Sequence, residues 1–262
     1  MMLVFPQLTT GAAALYPVTK QALQRSVVNT LAGGNTVVYA DPSGVMAGWQ
    51  LRATGLTLAE WNAIEGLFQQ TAGMAGTFTF LDPVGNLLLQ SENFAAGAWT
   101  KGALVALTAG VGDPLGTTRA TGLVNAGGSA AGLEQVLDVP GNFQYCLSVW
   151  VRSTSGSAVT LVVANVTKTF VLGTQWSRVF LAANPGQTGA TTVSFGVTVA
   201  AGGSVQLFGM QAEAQLGPSD YKITGAVGGV YSNARFGSDQ ITVTAQGADV
   251  YDAVMQIVSA GS

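Results

Sequence analysis

Gln144-Tyr145-Cys146-Leu147-Ser148-Val149-Trp150-Val151-Arg152 alternates without interruption. Tyr145, Leu147, Val149 and Val151 fall on one side, and Gln144, Cys146, Ser148, Trp150 and Arg152 on the other. That period of two marks a strand with one face in a core. The second face is polar apart from one large ring, Trp150, which needs cover from a loop, a neighbouring subunit or a ligand. Outward from this strand lie further short candidates: 103–108, 133–139, 159–163, 167–172, 177–182, 191–199 and 204–211. Gly, Asn, Pro and Ser separate them. No segment between 86 and 224 has a helical period. Many short strands at regular spacing predict a sandwich or jelly roll.

The flanks read differently. Residues 24–30 and 36–40 form strands around the turn Gly33-Gly34-Asn35, and 49–54 forms another. Thr57 with Glu60 makes a capping box, and Leu58, Trp61, Ile64, Leu67 and Phe68 follow at helical spacing as core positions. Thr71-Ala72-Gly73 ends that helix, and a strand over 77–81 closes on Asp82-Pro83. After a Gly-rich stretch from Gly225, residues 241–245 and 250–258 read as strands. This last region is too short to fold alone and is expected to complete the first.

Composition narrows the function. Asp, Glu, Lys and Arg make up only 9% of the chain, against about 25% in ordinary soluble domains. Apolar residues instead alternate with Thr, Ser, Gly and Gln, a surface suited to a subunit within an assembly. No apolar run approaches the roughly 18 residues that span a bilayer, so no membrane insertion is expected. Residues 86–223 carry six basic and six acidic side chains with no Lys/Arg cluster, which argues against nucleic acid as a partner. The N-terminal MMLVFPQLTT lacks the pattern of a secretory signal.

Two resemblances carry the reading further. Phe5-Pro6-Gln7-Leu8, the stretch Leu51–Gln70 with Gly55-Leu56-Thr57-Leu58-Ala59-Glu60-Trp61, and Phe78-Thr79-Phe80-Leu81-Asp82-Pro83 resemble the phage distal tail and minor tail family. The Arg-Phe-x-x-Asp strand that soon follows Asp-Pro in that family stands here only at Arg235-Phe236-Gly237-Ser238-Asp239. The intervening region resembles the carbohydrate-binding-module-like jelly rolls of phage tail proteins. The residues that carry this are Asn86-Leu87-Leu88, Ser91-Glu92-Asn93-Phe94, Trp99-Thr100, Tyr145 with Ser148, Trp150 and Val151, Trp176-Ser177-Arg178, Phe208–Glu213 and Ser219-Asp220-Tyr221. Its loops depart from the pattern in being rich in Gly and Ala and poor in Asp and Asn. The fold class implied is mostly β. A split β-sandwich or barrel-like tail domain with one helix (1–85 and 225–262) is interrupted by an inserted jelly-roll β-sandwich (86–224).

The chemistry expected is binding rather than catalysis. The chain contains no histidine, which removes Ser-His-Asp and Cys-His systems and His-containing zinc sites. The carboxylates of the middle region form no recognisable acid/base pair, so no enzyme is expected. No cofactor is expected either; Glu92 or Glu213 could serve a structural Ca²⁺ only with several more oxygens converging, and surface solvation is the simpler reading. Sugar binding needs an aromatic face beside amide or carboxylate hydrogen-bonders, which nominates Trp150, Arg152, Gln144 and Trp99. Tyr221 is expected to clamp the two domains. The resemblance implies a structural component of a phage tail tip or baseplate, made in the host cytoplasm and carried in the virion. It would form a ring of copies, hexameric in that family, joining tail tube to tail hub or other tip proteins. The insert would display a site for a host-surface glycan. The alternatives are a tail-fibre or receptor-binding protein, which wants repeats or coiled-coil heptads, and a standalone lectin.

Overall fold

The computed structural model describes residues 2–260, with the side chains of 23, 42–46 and 260 left aside. The protein is mostly β, with one helix among the described residues. In chain order its elements are β1 (Val18–Thr30), β2 (Thr36–Leu56), α1 (Leu58–Gln70), β3 (Phe78–Leu81), β4 (Thr100–Lys101), β5 (Val105–Val111), β6 (Ala120–Asn125), β7 (Ala131–Leu137) and β8 (Tyr145–Arg152). There follow β9 (Ala158–Val163), β10 (Val166–Val171), β11 (Ser177–Ala183), β12 (Val193–Val199), β13 (Ser204–Glu213), β14 (Val230–Phe236), β15 (Thr242–Gly247) and β16 (Val250–Ala260). The chain divides into two compact units. The first comprises Met1–Thr9, Ala13–Phe80 and Tyr231–Ser262, the second Thr10–Ala12 and Leu81–Val230.

The first unit is a sheet in the order β1-β2-β16-β14-β3, with β15 also paired to β16. Its core is aromatic. Trp49 meets Phe80 with ring centroids 4.9 Å apart, and Phe236 meets Phe78 at 5.0 Å and Phe68 at 5.1 Å. Such pairs add about 1 kcal/mol each beyond the area they bury. Helix α1 begins as its sequence dictates. Thr57 N–H donates to Glu60 Oε2 at 2.9 Å and Glu60 N–H to Thr57 Oγ1 at 3.3 Å, and Thr9 N–H donates to Glu60 Oε1 at 2.8 Å. Burial raises the Glu60 carboxyl, but these bonds outweigh it and hold it below its usual value. Trp61, Ile64 and Leu67 are buried and Phe68 partly so. Leu58, expected in the same stripe, is 46% exposed because it opens the helix and lies off the end of its packed face.

β1 and β2 form a ribbon longer than the sequence suggested. Separate strands were expected over 36–40 and 49–54, yet β2 runs on through the residues between them, with a register shift between Leu23 and Arg25 on the partner strand. Val27 stands opposite Tyr39, and the next pair, Val28 opposite Val38, falls on the other face. All four are exposed by 45–61%, as is Leu31 at the turn. The ribbon therefore carries an open apolar pair on each face.

The second unit is a jelly-roll-like sandwich of two antiparallel five-stranded sheets, β10-β9-β12-β7-β4 and β11-β8-β13-β6-β5. Tyr145, Leu147, Val149 and Val151 are all fully buried, and Tyr145 meets Phe195 of the opposite sheet at 5.2 Å. β6 was not anticipated, because Gly122 and the loop-like Thr-Gly and Val-Asn pairs around Leu123 hide its alternation. The two ends of the unit run side by side. Asp82 N–H donates to Gly229 O at 2.8 Å, Gly229 N–H to Asn86 O at 2.8 Å and Gln90 N–H to Gly225 O at 2.8 Å. Buried Asn86 locks this seam. Its Nδ2 donates to Met210 O and Lys222 O, and its Oδ1 accepts from the N–H groups of Leu88 and Ala212.

Candidate functional site

The outer face of β8 is not the open surface its alternation implies. Cys146 and Ser148 are fully buried. Arg178 bridges Ser148 Oγ at 3.0 Å to Ser219 O at 2.6 Å, and so ties the segment after β13 to this face. Glu213 anchors that segment. It accepts from Ser219 N–H at 3.0 Å, Lys222 Nζ at 3.2 Å, Gln215 Nε2 at 3.1 Å and also Ser219 Oγ. Tyr221 packs on Phe208 with centroids 5.7 Å apart and shares a hydrogen bond with Ser91 Oγ at 2.8 Å, both within the second unit. It locks the unit's own ends, where a clamp between domains was expected. Gly209, at φ +62, is required here, since a Cβ would sit 2.9 Å from the Tyr221 ring. Burial beside the Glu213 carboxylate pushes the Cys146 thiol up to about 12, which makes it unreactive.

The four nominated binding residues have different surroundings. Trp150 and Arg152 are half-buried neighbours on one face of β8, with Gln144 at the start of that strand. Arg152 stacks over Trp176 at 4.7 Å from the ring centroid, and its Nε donates to Gln206 Oε1 at 2.6 Å. Gln144 Nε2 donates to Tyr145 O at 3.1 Å. Trp99 is 6% exposed, edge-on to Phe94 at 5.3 Å, with its Nε1 donating to Gln90 O at 3.1 Å. It is a core residue with no face to offer. The two carboxylates weighed for Ca²⁺ are both engaged by protein donors, Glu213 as above and Glu92 by Arg119 Nη1 at 3.0 Å and Tyr221 Oη at 3.1 Å. Among the described residues no cluster of three His, Cys, Asp or Glu could hold a metal.

A different face is open. Across the outer side of the β9-β12-β7-β4 sheet lies a trough of about 290 Å³, lined by Thr100, Lys101, Glu134, Val162 and Thr198 around Gly132 and Gly196. The register explains its shape. Gly196 stands between Val162 and Glu134, with Thr100 beyond Glu134, and Thr198 stands between Thr160 and Gly132. A Cβ on Gly132 would sit 1.8 Å from Val197 O, and one on Gly196 would sit 2.3 Å from Leu133 O. Only glycine lets the two strand backbones meet this way, which leaves the floor bare of side chains. The rim supplies hydroxyls, one carboxylate and one ammonium, a set of donors and acceptors suited to a polyhydroxylated ligand. Glu134 is the single carboxylate among the lining residues, so the trough lacks the carboxylate pair of a glycosidase. Sequence reasoning passed over this site because it looked for an aromatic platform. The usable signal was a glycine inside each of two strong strands, at Gly132 and in Val193-Ser-Phe-Gly196.

No family model matches the sequence, and no curated protein matches it. Solved structures similar to it include the enzymatically active domain of tailspike protein 4 from bacteriophage CBA120 (TM-score 0.38, 15% identity), where the match covers 49% of this chain and 21% of that one. The CBM22-1–GH10 modules of the Clostridium thermocellum xylanase Xyn10B match at TM-score 0.36 and 15% identity, over 49% of this chain and 28% of that one. The C-terminal family 22 carbohydrate-binding module of the same xylanase matches at TM-score 0.40 and 16% identity, over 56% of this chain and 98% of the module. The chain thus spans less than a third of the first two structures and nearly all of the isolated module.

Proposed function

We propose that this protein is a non-catalytic structural subunit of a phage tail tip. In this reading the first unit assembles with copies of itself into a ring between the tail tube and the hub or other tip proteins of the virion. The second unit presents its trough to a glycan of the host surface. The observation that carries the reading is the β1–β2 ribbon, with Val27 and Tyr39 exposed on one face and Val28 and Val38 on the other. A two-stranded ribbon is marginal in water by itself, and open apolar pairs on both faces are the mark of a surface that a partner covers. The sparse surface charge points the same way, since strong net charge is what keeps free monomers apart. The trough, with Gly132 and Gly196 at its floor and Thr100, Lys101, Glu134 and Thr198 at its rim, supports the glycan role.

Electron microscopy of the particle that contains this protein tests the assembly. A ring of copies at the end of the tube, with sandwiches facing outward, is the expected result. A trimeric spike would replace this reading with a tail fibre, and a free monomer retained on a glycan array would replace it with a lectin. Failure of the full chain to bind any host-surface polysaccharide would remove the glycan role while leaving the ring intact.

A further inference from the structure

A second recess in the sandwich unit shares no lining residue with the trough. It has a volume of about 340 Å³, within the range of about 300–1,000 Å³ usual for small-ligand sites. Its lining is polar at Glu92, Asn93, Thr118, Arg119 and Thr121 and apolar at Ala95 and Leu107. The polar part around Glu92 and Arg119 is held rigid before any ligand arrives. Arg119 Nη1 donates to both oxygens of Glu92 at 3.0 and 3.2 Å, its Nε donates to Thr117 Oγ1 at 3.1 Å, and its guanidinium lies over the Phe208 ring at 5.4 Å. Tyr221 Oη fixes Glu92 from the other side at 3.1 Å. Thr117, which holds Arg119, is itself bound to buried Asp113.

This arrangement leaves specific groups unused. Arg119 Nη2 makes no hydrogen bond among the described residues, and Glu92 Oε2 accepts only from Nη1. A planar donor and a carboxylate acceptor therefore stand side by side with their net charge cancelled. An anion gains little from a guanidinium that is already neutralised. Two adjacent hydroxyls match the pair, one accepting from Nη2 and the other donating to Oε2. The lining at Ala95 and Leu107 suits the C–H face of the same ring, and preorganisation lowers the entropic cost of holding it. We propose that this recess is a second saccharide subsite, specific for a neutral pyranose with vicinal hydroxyls bridged between Glu92 and Arg119. The inference rests on the glycan-binding role proposed above.

The test is an amide NMR titration of the full chain with methyl α-mannopyranoside, methyl β-galactopyranoside and, as the acidic comparison, N-acetylneuraminic acid. The expected result is a set of shifts at Asn93, Gly110 and Thr118 with a neutral hexoside and none with the acidic sugar. Ala95→Trp fills the recess from an exposed position and weakens that binding at least about tenfold. Arg119→Lys keeps the charge, loses the planar fork and weakens it similarly; the wild-type shift map carries the result should either variant melt early. Shifts confined to Gly132, Glu134 and Gly196 overturn the second subsite and leave the trough reading standing. Stronger binding of the acidic sugar overturns the neutral-diol chemistry, and the absence of any shift overturns the subsite itself.

Discussion

The two units of this chain arrange their strands in different ways. In the sandwich, Tyr145, Leu147, Val149 and Val151 are sealed between two sheets, and even the polar outer face of β8 is roofed by Arg178 and the segment anchored on Glu213. In the first unit a compact aromatic core sits beside a ribbon whose Val27, Val28, Val38 and Tyr39 lie open. The sandwich closes its core between its own two sheets, although Leu104, Val136 and Val171 stay exposed on it. The first unit has a finished core and, beside it, an open two-stranded edge of the kind that association can cover.

Four variants break or sharpen that contrast. The largest effect falls on Gly132. In Gly132→Val the added Cβ meets the Val197 backbone, and we expect the sandwich to lose its cooperative unfolding transition in calorimetry. Retention of that transition would show that β7 and β12 can part at no great cost. Next is Asn86→Ala, which strands two carbonyls and two N–H groups at the seam of the second unit. A loss of about 3 kcal/mol in urea unfolding is expected, and a loss below about 1 kcal/mol would mean that water replaces the amide. In the ribbon, Val28→Lys with Val38→Glu, an opposite-charge cross-strand pair, should leave stability within about 0.5 kcal/mol while abolishing self-association in analytical ultracentrifugation. A fall in stability instead would mean that the ribbon is part of the core.

The smallest effect is a pH dependence. Burial raises the Asp113 carboxyl, but bonds from the hydroxyl of Thr117 and the N–H groups of Arg119, Thr117 and Leu115 outweigh it and bring it down to about 2. Its stabilisation is therefore complete above the unfolded value near 4 and fades as pH falls toward 2. Asp113→Asn should melt below the wild type at pH 7, with the gap closing between about pH 4 and 2. A gap that stays constant across that window would assign the loss to geometry alone.

The sequence made some of this legible and hid the rest for physical reasons. The capping box at Thr57 and Glu60 and the alternation of 144–152 are local signals, and both became the elements they imply. The stretch between 40 and 49 was not legible as strand because Asp, Pro and Gly are poor formers of isolated strands but are tolerated at irregular points of a ribbon. The outer face of β8 misled because alternation reports which side chains share a face and cannot report what a distant loop lays over it. The roof is made by Glu213, Ser219 and Lys222, each unremarkable alone. Trp99 and Trp150 drew attention as large rings, whereas both open sites depend on what is missing, side chains at Gly132 and Gly196, or on pairings such as Glu92–Arg119 that join residues 27 apart.

The seam at Asp82 and Gly229 has a consequence for how such a chain changes over generations. Because these residues touch through one hydrogen bond of 2.8 Å, the long segment Leu81–Val230 of the second unit leaves and rejoins the polypeptide side by side, while Thr10–Ala12 joins that unit separately. Any domain whose termini meet at that spacing can be exchanged for the long segment by recombination at two sites, with no strand of the first unit cut or re-registered. That segment is thus a replaceable cassette. A lineage can exchange that cassette while the first unit stays under its own, separate selection.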